Sequence, residues 1–137
     1  MIAIAVSEFN TEISSGLLAG CRAALLEGGI PERDIDVTRL PGAFELPAAA
    51  AQLCEQPEVQ AVITLGAVIR GETDHYEHDA AAAARGVADA SLSTGVPVAF
   101  GVLTTDTVEQ AINRAGGKQG NQGYNAAVTA IEMANLL

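Results

Sequence analysis

The sequence predicts an α/β fold, in which a parallel sheet is covered by helices on both faces. Short apolar runs of strand length alternate with longer segments whose apolar residues recur every three or four positions. Such alternation favours a parallel sheet. With four strands and right-handed crossovers, the economical arrangement is a three-layer α/β/α sandwich around a flavodoxin-like, four-stranded parallel sheet. Because no linker, repeat or low-complexity stretch interrupts the pattern, we expect a single domain over residues 1–137.

The first half of the chain predicts two strands and two helices. Residues 2–7 are apolar and predict a central strand. Asn10 or Thr11 can cap the helix that follows, which ends at paired glycines before a proline. Residues 35–40 alternate apolar and polar side chains, as a half-exposed edge strand does. Residues 44–56 then predict a short helix, with its proline confined to the first turn.

The second half predicts two more strands and three helices. The strands are the apolar runs over residues 59–65 and 97–103. The helices cover residues from about 74 to 93, 108–114 and 125–136, and a glycine-rich loop separates the last two.

The charge balance excludes one large class of partner. Asp and Glu total 17 against 7 Lys and Arg, which gives a formal net charge of −10. Without a basic surface we expect no nucleic-acid binding. An acidic chain with Lys118 as its single lysine is typical of a salt-loving organism, because solvated carboxylates keep a protein soluble in high salt. A GC-rich coding bias explains the same composition equally well.

Composition and cysteine content also suggest a cellular compartment. No apolar run approaches the roughly 18 residues of a membrane span, so we expect no membrane partner. Cys21 and Cys54 fall in predicted helices and are expected to be small buried thiols. These features predict a soluble cytoplasmic protein.

Residues 66–78 carry the most informative functional signal. They follow an apolar strand, and a glycine and a threonine predict a helix start with free backbone N–H groups. Together with the positive end of the helix dipole, such groups favour phosphate binding. His75 lies in the predicted first turn, where it could carry protons for a phosphorylated substrate. Ligands of such folds lie beyond the carboxyl ends of the strands, which is where this segment falls.

Phe9 and Glu45 follow the first two strands and are expected at the same edge of the sheet. Phe9 could stack on a planar ring, or it could be a local hydrophobic cap. Glu45 could accept hydrogen bonds from a polyol, or it could interact with the dipole of the helix it precedes. The sequence leaves both alternatives open for each residue.

A phosphate in this segment would meet an electrostatic conflict. Glu72 and Asp74 would repel it, so a nearby cation is needed. Arg70 is available locally, whereas Arg114 belongs to a distant helix and could simply be a solvated surface residue. Either arginine could recognise phosphate through two parallel hydrogen bonds.

His75 and His78 form an H-x-x-H pair, which invites a metal interpretation. Residues three apart share a helix face, but no third or fourth ligand is evident elsewhere in the sequence. We therefore expect no metal, and a histidine acid or base instead. Neither the phosphate-loop nor the dinucleotide-binding glycine motif occurs. The third strand ends in Gly66-Ala67 and so lacks the carboxylate that a two-component receiver needs.

Taken together, these segments resemble the 6,7-dimethyl-8-ribityllumazine synthase family. The resemblance runs in order along nearly the whole chain. It is carried by Glu-Phe-Asn at residues 8–10, Pro-Gly-Ala-Phe-Glu-Leu-Pro at 41–47, Gly-Ala-Val-Ile-Arg-Gly-Glu-Thr-Asp-His at 66–75, and matching stretches at 100–105, 109–116 and 130–135.

The resemblance implies a transferase of riboflavin biosynthesis. It would condense 5-amino-6-(D-ribitylamino)uracil with 3,4-dihydroxy-2-butanone 4-phosphate to 6,7-dimethyl-8-ribityllumazine, phosphate and water, without a metal or organic cofactor. One alternative is an archaeal-type riboflavin synthase, which has no phosphate to hold and so no need for Thr73 or Arg114. The other is a non-catalytic flavin- or lumazine-binding shell protein, which has no need for His75 or Arg114.

The resemblance also implies a role for each matching residue. His75 would be catalytic, as a proton shuttle. The substrate-binding residues would be Phe9 on the pyrimidine; Ala43, Phe44 and Glu45 on the ribityl chain; Ala67, Val68 and Ile69 on the uracil edge; Glu72 and Thr73, mainly through backbone N–H groups, on the phosphate; and Phe100 and Arg114, both from a neighbouring subunit.

A homo-oligomer with its active sites at subunit interfaces follows from these last two assignments. Members of the family form pentamers, and some close pentamers into an icosahedral shell. Arg114 of a neighbour would then supply the cation that the phosphate lacks. The chain departs from many members at Glu8, where they have arginine, and at Gln122, where they have lysine; Lys118 lies close to the second position.

Overall fold

The computed structural model describes residues 1–72 and 75–136. Its main sheet consists of β1 (Ile2–Ser7), β2 (Ile35–Leu40), β3 (Ala61–Ile69) and β4 (Val98–Thr105). The helices are α1 (Thr11–Glu27), α2 (Leu46–Cys54), α3 (Tyr76–Thr94), α4 (Val108–Asn113) and α5 (Gln122–Leu136). Two 3-10 turns, Glu32–Asp34 and Ala43–Glu45, precede β2 and α2, and a small antiparallel pair, β5 (Ala115–Gly117) and β6 (Gly120–Asn121), precedes α5.

The sheet has the order β2-β1-β3-β4, and every neighbouring pair in it is parallel. This confirms the predicted flavodoxin-like α/β architecture, with β1 central and β2 at an edge. All six residues of β1 are buried, whereas β2 is only partly buried, as its alternating pattern indicated. Since the strands are parallel, the segments that leave β1, β2 and β3 all emerge at one edge of the sheet.

Two apolar layers hold the helices on the sheet. On one face the core contains residues of α1, α4 and α5, and on the other it contains residues of α2 and α3. Gly123 allows α5 to approach α1 closely, because a Cβ atom at this position would collide with the backbone carbonyl of Leu17. Cys21 and Cys54 are both buried and free, as predicted.

The third strand differs from its predicted bounds, residues 59–65, and continues to Ile69. Gly66 was interpreted as the start of a turn, but it pairs with Val102 in the sheet. Its missing side chain has a packing reason, since an added Cβ would lie 2.9 Å from the Cβ of Ser7 on the neighbouring strand. The predicted helix over residues from about 74 to 93 is confirmed, since α3 covers Tyr76–Thr94.

Two smaller predictions also need correction. The glycine-rich loop before the last helix contains the β5–β6 pair, and α5 begins at Gln122 rather than at residue 125. Asn10 occupies the N-cap position of α1, but its side chain makes no capping hydrogen bond. Among the described residues, no helix combines the length and apolar character that a membrane crossing requires.

Candidate active site

A cleft of about 250 Å³ opens at the carboxyl ends of β1, β2 and β3. Its walls come from the turn after β1, the 3-10 turn after β2, the end of β3 and the first turn of α3. Eight residues with predicted substrate roles surround it: Phe9, Ala43, Phe44, Glu45, Ala67, Val68, Ile69 and Glu72. The fold thus brings together residues that are as far as 63 positions apart in the sequence, from Phe9 to Glu72.

A larger groove, of about 420 Å³, lies at the opposite end of the sheet. It is formed where β1, β3 and β4 begin, and no charged side chain is among the described residues that line it. Without a charged side chain, the described lining of this groove offers no side-chain acid or base for proton transfer. The smaller cleft is therefore the better candidate for chemistry on a phosphorylated substrate.

All three phenylalanines of the chain are exposed, although phenylalanine is normally a core residue. Phe9 is 42 % exposed and Phe44 is 63 % exposed, and both line the cleft. Phe100 is 38 % exposed and lies on the edge strand β4, opposite Thr64 of β3. The first two rings form apolar surfaces onto which a flat heterocycle or an alkyl chain could pack.

Glu45 occupies the N-cap position of α2 and lines the cleft. Its side chain makes no capping hydrogen bond to the helix. The carboxylate instead turns back toward Gly42, where both of its oxygens lie within 4 Å of the point that a Cβ atom would occupy. The carboxylate is exposed at the mouth of the cleft, where it can accept hydrogen bonds from hydroxyl groups.

The connection from β3 to α3 begins with a tight turn. The N–H of Glu72 donates to the carbonyl of Ile69 at 3.2 Å, and Gly71 adopts a φ of 91°, which a side chain would disfavour. The backbone N–H of Glu72 is therefore already used within the turn. The predicted phosphate ligand Thr73, and Asp74 beside it, lie outside the described residues.

Arg70 has partners other than a phosphate. Its Nε donates to Asp106 Oδ1 at 3.0 Å, and its guanidinium lies 4.6 Å from the centre of the Tyr76 ring. These two contacts hold the guanidinium group between Asp106 and the ring of Tyr76. Its charge is already partly balanced by Asp106, so it is a weaker candidate for the missing cation than the sequence indicated.

The described lining of the cleft contains carboxylates but no cation. Glu45, Glu72 and Asp79 all contribute to its walls. A phosphate that entered this cleft would meet these carboxylates, and no Lys or Arg belongs to the described lining that would hold it.

His75 is the N-cap residue of α3, and its carbonyl accepts a hydrogen bond from Asp79 N–H at 2.8 Å. Its ring lies 6.5 Å from that of His78, with the two planes at 60°. The histidine is exposed and follows the segment for which phosphate binding was predicted. In the described part of the chain, no three His, Cys, Asp or Glu side chains are grouped as metal ligands would be.

Phe100 and Arg114 are not among the described residues that line the cleft. Arg114 follows α4, a short helix whose start is held by reciprocal hydrogen bonds between Thr107 and Gln110. Its Nη1 donates to the carbonyl of Gln110 at 3.0 Å, and its side chain is exposed.

Two residues at or beside the cleft, Asp79 and Asn10, had no role in the sequence-based site. Asp79 was noted only as a charge near the histidine pair, but it lies in the first turn of α3 and lines the cleft. Asn10 was interpreted only as a helix cap, although it belongs to the Glu-Phe-Asn motif. Its Nδ2 donates to Glu72 Oε2 at 2.7 Å. Glu8 of the same motif pairs with Arg39 at 3.9 Å.

Comparisons with known proteins agree with this geometry. The family model described as 6,7-dimethyl-8-ribityllumazine synthase matches residues 1–137. A curated protein of Syntrophus aciditrophicus (strain SB), named 6,7-dimethyl-8-ribityllumazine synthase, is 59 % identical over 134 residues. The alignment covers 98 % of this chain and 87 % of that protein.

Proposed function

The chain belongs to the 6,7-dimethyl-8-ribityllumazine synthase family, and from this premise we propose that the cleft beyond the carboxyl ends of β1–β3 is its active site. The protein is a transferase of riboflavin biosynthesis. It condenses 5-amino-6-(D-ribitylamino)uracil with 3,4-dihydroxy-2-butanone 4-phosphate, and it releases phosphate and water as the lumazine ring forms. Neither the archaeal-type riboflavin synthase nor the non-catalytic shell protein is favoured by the comparisons.

The observation that carries the proposed site is the grouping of eight sequence-predicted residues around one cleft. Phe9 stacks on the pyrimidine, and the end of β3 offers backbone groups of Ala67, Val68 and Ile69 to its edge. On the other wall, Ala43, Phe44 and Glu45 hold the ribityl chain, with the Glu45 carboxylate accepting its hydroxyls. Holding two reactants in register in this way can lower the activation free energy by an amount on the order of 7–11 kcal/mol.

The phosphate binds next to the connection between β3 and α3, where Thr73 and Glu72 were assigned from the sequence. Because the N–H of Glu72 is engaged with Ile69, Glu72 acts here by shaping the turn rather than by donating to the anion. His75, at the start of α3, moves protons as the Schiff base forms, phosphate leaves and the ring closes. No metal or organic cofactor takes part in these steps.

We propose that Phe100 and Arg114 reach the cleft of a neighbouring subunit in a homopentamer. Two features support this: the cleft's described lining is acidic and lacks a cation, and both residues are exposed away from the cleft of their own chain. The guanidinium of Arg114 would balance both the phosphate and the nearby carboxylates. The same assembly would also allow pentamers to close into an icosahedral shell.

The proposed function is tested by mixing the purified protein with both substrates and following lumazine absorbance together with phosphate release. We expect equal amounts of the two products at a rate well above the spontaneous background. No acceleration in either low or molar salt would overturn the assignment, and titration with riboflavin and lumazine would then test the binding-protein alternative.

A shared active site is tested by co-expressing two impaired variants, His75→Ala and Arg114→Ala, and assaying them with butanone phosphate well below its KM for Arg114→Ala, where each variant alone has little activity. In a mixed ring, about one quarter of the interfaces combine an intact cleft with an intact neighbour's arginine, so activity should reappear. Mixing the purified single variants without subunit exchange is the control. Failure of the co-expressed protein to regain activity would show that Arg114 does not act across an interface.

Cytoplasmic location and adaptation to high salt are further parts of the proposal. The net charge of −10 supports the second, because salt screens repulsion among solvated carboxylates. The melting temperature should therefore be much higher in molar KCl than in dilute buffer. Equal values in the two solutions would leave coding bias as the explanation of the composition.

A further inference from the structure

Asn10 has a backbone conformation that sets it apart from the other described residues. With φ 61° and ψ 73° it is the one residue other than glycine, within the described chain, that adopts a positive φ. Asparagine tolerates this left-handed region better than most residues, but it still favours others. Such a conformation persists where the surrounding structure requires it, which is reason to ask what the side chain does.

The side chain of Asn10 does not perform the role that its position suggests. An asparagine at an N-cap normally accepts hydrogen bonds from the first free N–H groups of the helix. Here the carbonyl of Asn10 accepts from the N–H groups of Ile13 and Ser14, both at 3.0 Å, and the side chain makes no capping bond. The amide group is thereby available for another partner.

That partner is Glu72, which lies 62 residues further along the chain. Asn10 Nδ2 donates to Glu72 Oε2 at 2.7 Å, a short distance that is typical of a hydrogen bond to a charged acceptor. Asn10 directly follows Phe9, and Glu72 closes the turn that holds Gly71. One hydrogen bond therefore connects the loop that carries the ring-stacking residue with the loop that leads to the proposed phosphate site.

We propose that Asn10 is a positioning residue, which keeps these two loops at the spacing the two substrates need. This inference rests on the proposed function, because it assigns the pyrimidine to one loop and the phosphate to the other. The bond also directs the Glu72 carboxylate toward Asn10. A carboxylate held in this way cannot turn toward the bound phosphate and repel it.

Four variants separate this role from a purely structural one. Asn10→Gly removes the amide while the backbone keeps its left-handed conformation, since glycine adopts positive φ readily. Asn10→Asp retains the shape but puts two carboxylates within hydrogen-bond distance. Glu72→Gln keeps an acceptor oxygen for Asn10. The double variant Asn10→Asp/Glu72→Gln restores the bond with donor and acceptor exchanged, because the new amide can donate to the new carboxylate.

We expect kcat/KM for the butanone phosphate to fall about tenfold in Asn10→Gly, the equivalent of about 1.4 kcal/mol. It should fall further in Asn10→Asp because of repulsion, fall less in Glu72→Gln than in Asn10→Gly because an acceptor oxygen remains for Asn10, and recover in the double variant relative to Asn10→Asp. Asn135→Asp, which adds the same charge at the opposite end of the sheet, should match wild type. Equal kinetics for Asn10→Gly and wild type, or a double variant no better than Asn10→Asp, would overturn the inference.

A second measurement does not depend on catalysis. Amide hydrogen exchange of residues 70–72 in the substrate-free protein should be faster in Asn10→Gly and Asn10→Asp than in wild type, with recovery in the double variant. Unchanged exchange in all variants would overturn the proposed bridge even if lumazine formation were normal. Wild-type protein that exchanges as expected but forms no lumazine would instead contradict the proposed function and leave the bridge between the loops in place.

Discussion

The floor of the cleft depends on the absence of one methyl group, at Gly66. A Cβ atom added there would lie 2.9 Å from Ser7 Cβ, 3.5 Å from Ser7 Oγ and 3.7 Å from Leu46 Cδ1. Carbon atoms prefer a separation of about 3.5–4.0 Å, so β1 and β3 would have to move apart by roughly 0.6–1 Å. Leu46 packs over the same point, so the new methyl group cannot shift toward α2 to relieve the collision.

We expect Gly66→Ala to destabilise the protein by about 1–3 kcal/mol, the usual cost of overpacking a dense core. For a chain of this length that corresponds to a fall in melting temperature of roughly 3–12 °C, measured by calorimetry at one fixed protomer concentration. The next residues, Ala67 and Val68, line the cleft. Their displacement should also raise the KM for the pyrimidine more than the KM for the butanone phosphate.

The matched control also removes the Ser7 side chain, which is the group that the added methyl group would meet. Ser7→Gly alone should cost only about 0.5–1 kcal/mol, the penalty of glycine in a strand. In Ser7→Gly/Gly66→Ala the collision is gone, so the double variant should be more stable than Gly66→Ala. A melting temperature for Gly66→Ala within about 1 °C of wild type, or a double variant that is less stable than both single variants, would refute the reasoning.

Three further predictions concern the site and the core. Arg114→Ala should raise the KM for the butanone phosphate about 10- to 100-fold through loss of a charge-assisted contact. The control variant Arg33→Ala should leave that KM unchanged. Equal effects of Arg114→Ala on the KM of both substrates would count against a phosphate-binding role for Arg114. His75→Ala should lower kcat about 100-fold without changing the assembly seen by light scattering, whereas His78→Ala should remain near wild type; unchanged turnover would remove His75 from the mechanism. Burial raises the pKa of the Cys21 thiol from 9.0 to about 12, so the folded protein keeps a proton that the unfolded chain loses. The free energy of unfolding should be independent of this thiol below pH 9 and should fall as the pH rises from 9 toward 12. Cys21→Ala should remove that part of the slope, and an identical slope in the variant would contradict the assignment.

The class of fold was predictable because it depends on local patterns. Buried parallel strands require apolar runs, and the covering helices require apolar residues at helical spacing, so both are visible in the sequence. The half-exposed pattern of residues 35–40 also identified β2 as an edge strand, which the sheet order confirms. Parallel strands bring their carboxyl ends to one edge. The polar segments after β1, β2 and β3 could therefore be assigned to one region before their geometry was known.

The bounds of β3 were not predictable from the same patterns. A glycine after an apolar run usually marks a turn. Gly66 instead lies within the strand because it faces Ser7 on β1, and that neighbour comes from 59 positions earlier in the chain. The error shortened the predicted strand by four residues and assigned residues 66–69 to the following loop.

The sequence by itself determined the alternation of strands and helices, the edge at which the cleft opens and the family to which the chain is similar. The tertiary structure alone decided which polar groups meet there. It paired Arg70 with Asp106, joined Asn10 to Glu72 and turned Asp79 toward the cleft. The physical reason is distance along the chain: periodicity reports contacts within one element, whereas a hydrogen bond between residues 62 positions apart depends on the packing of whole elements.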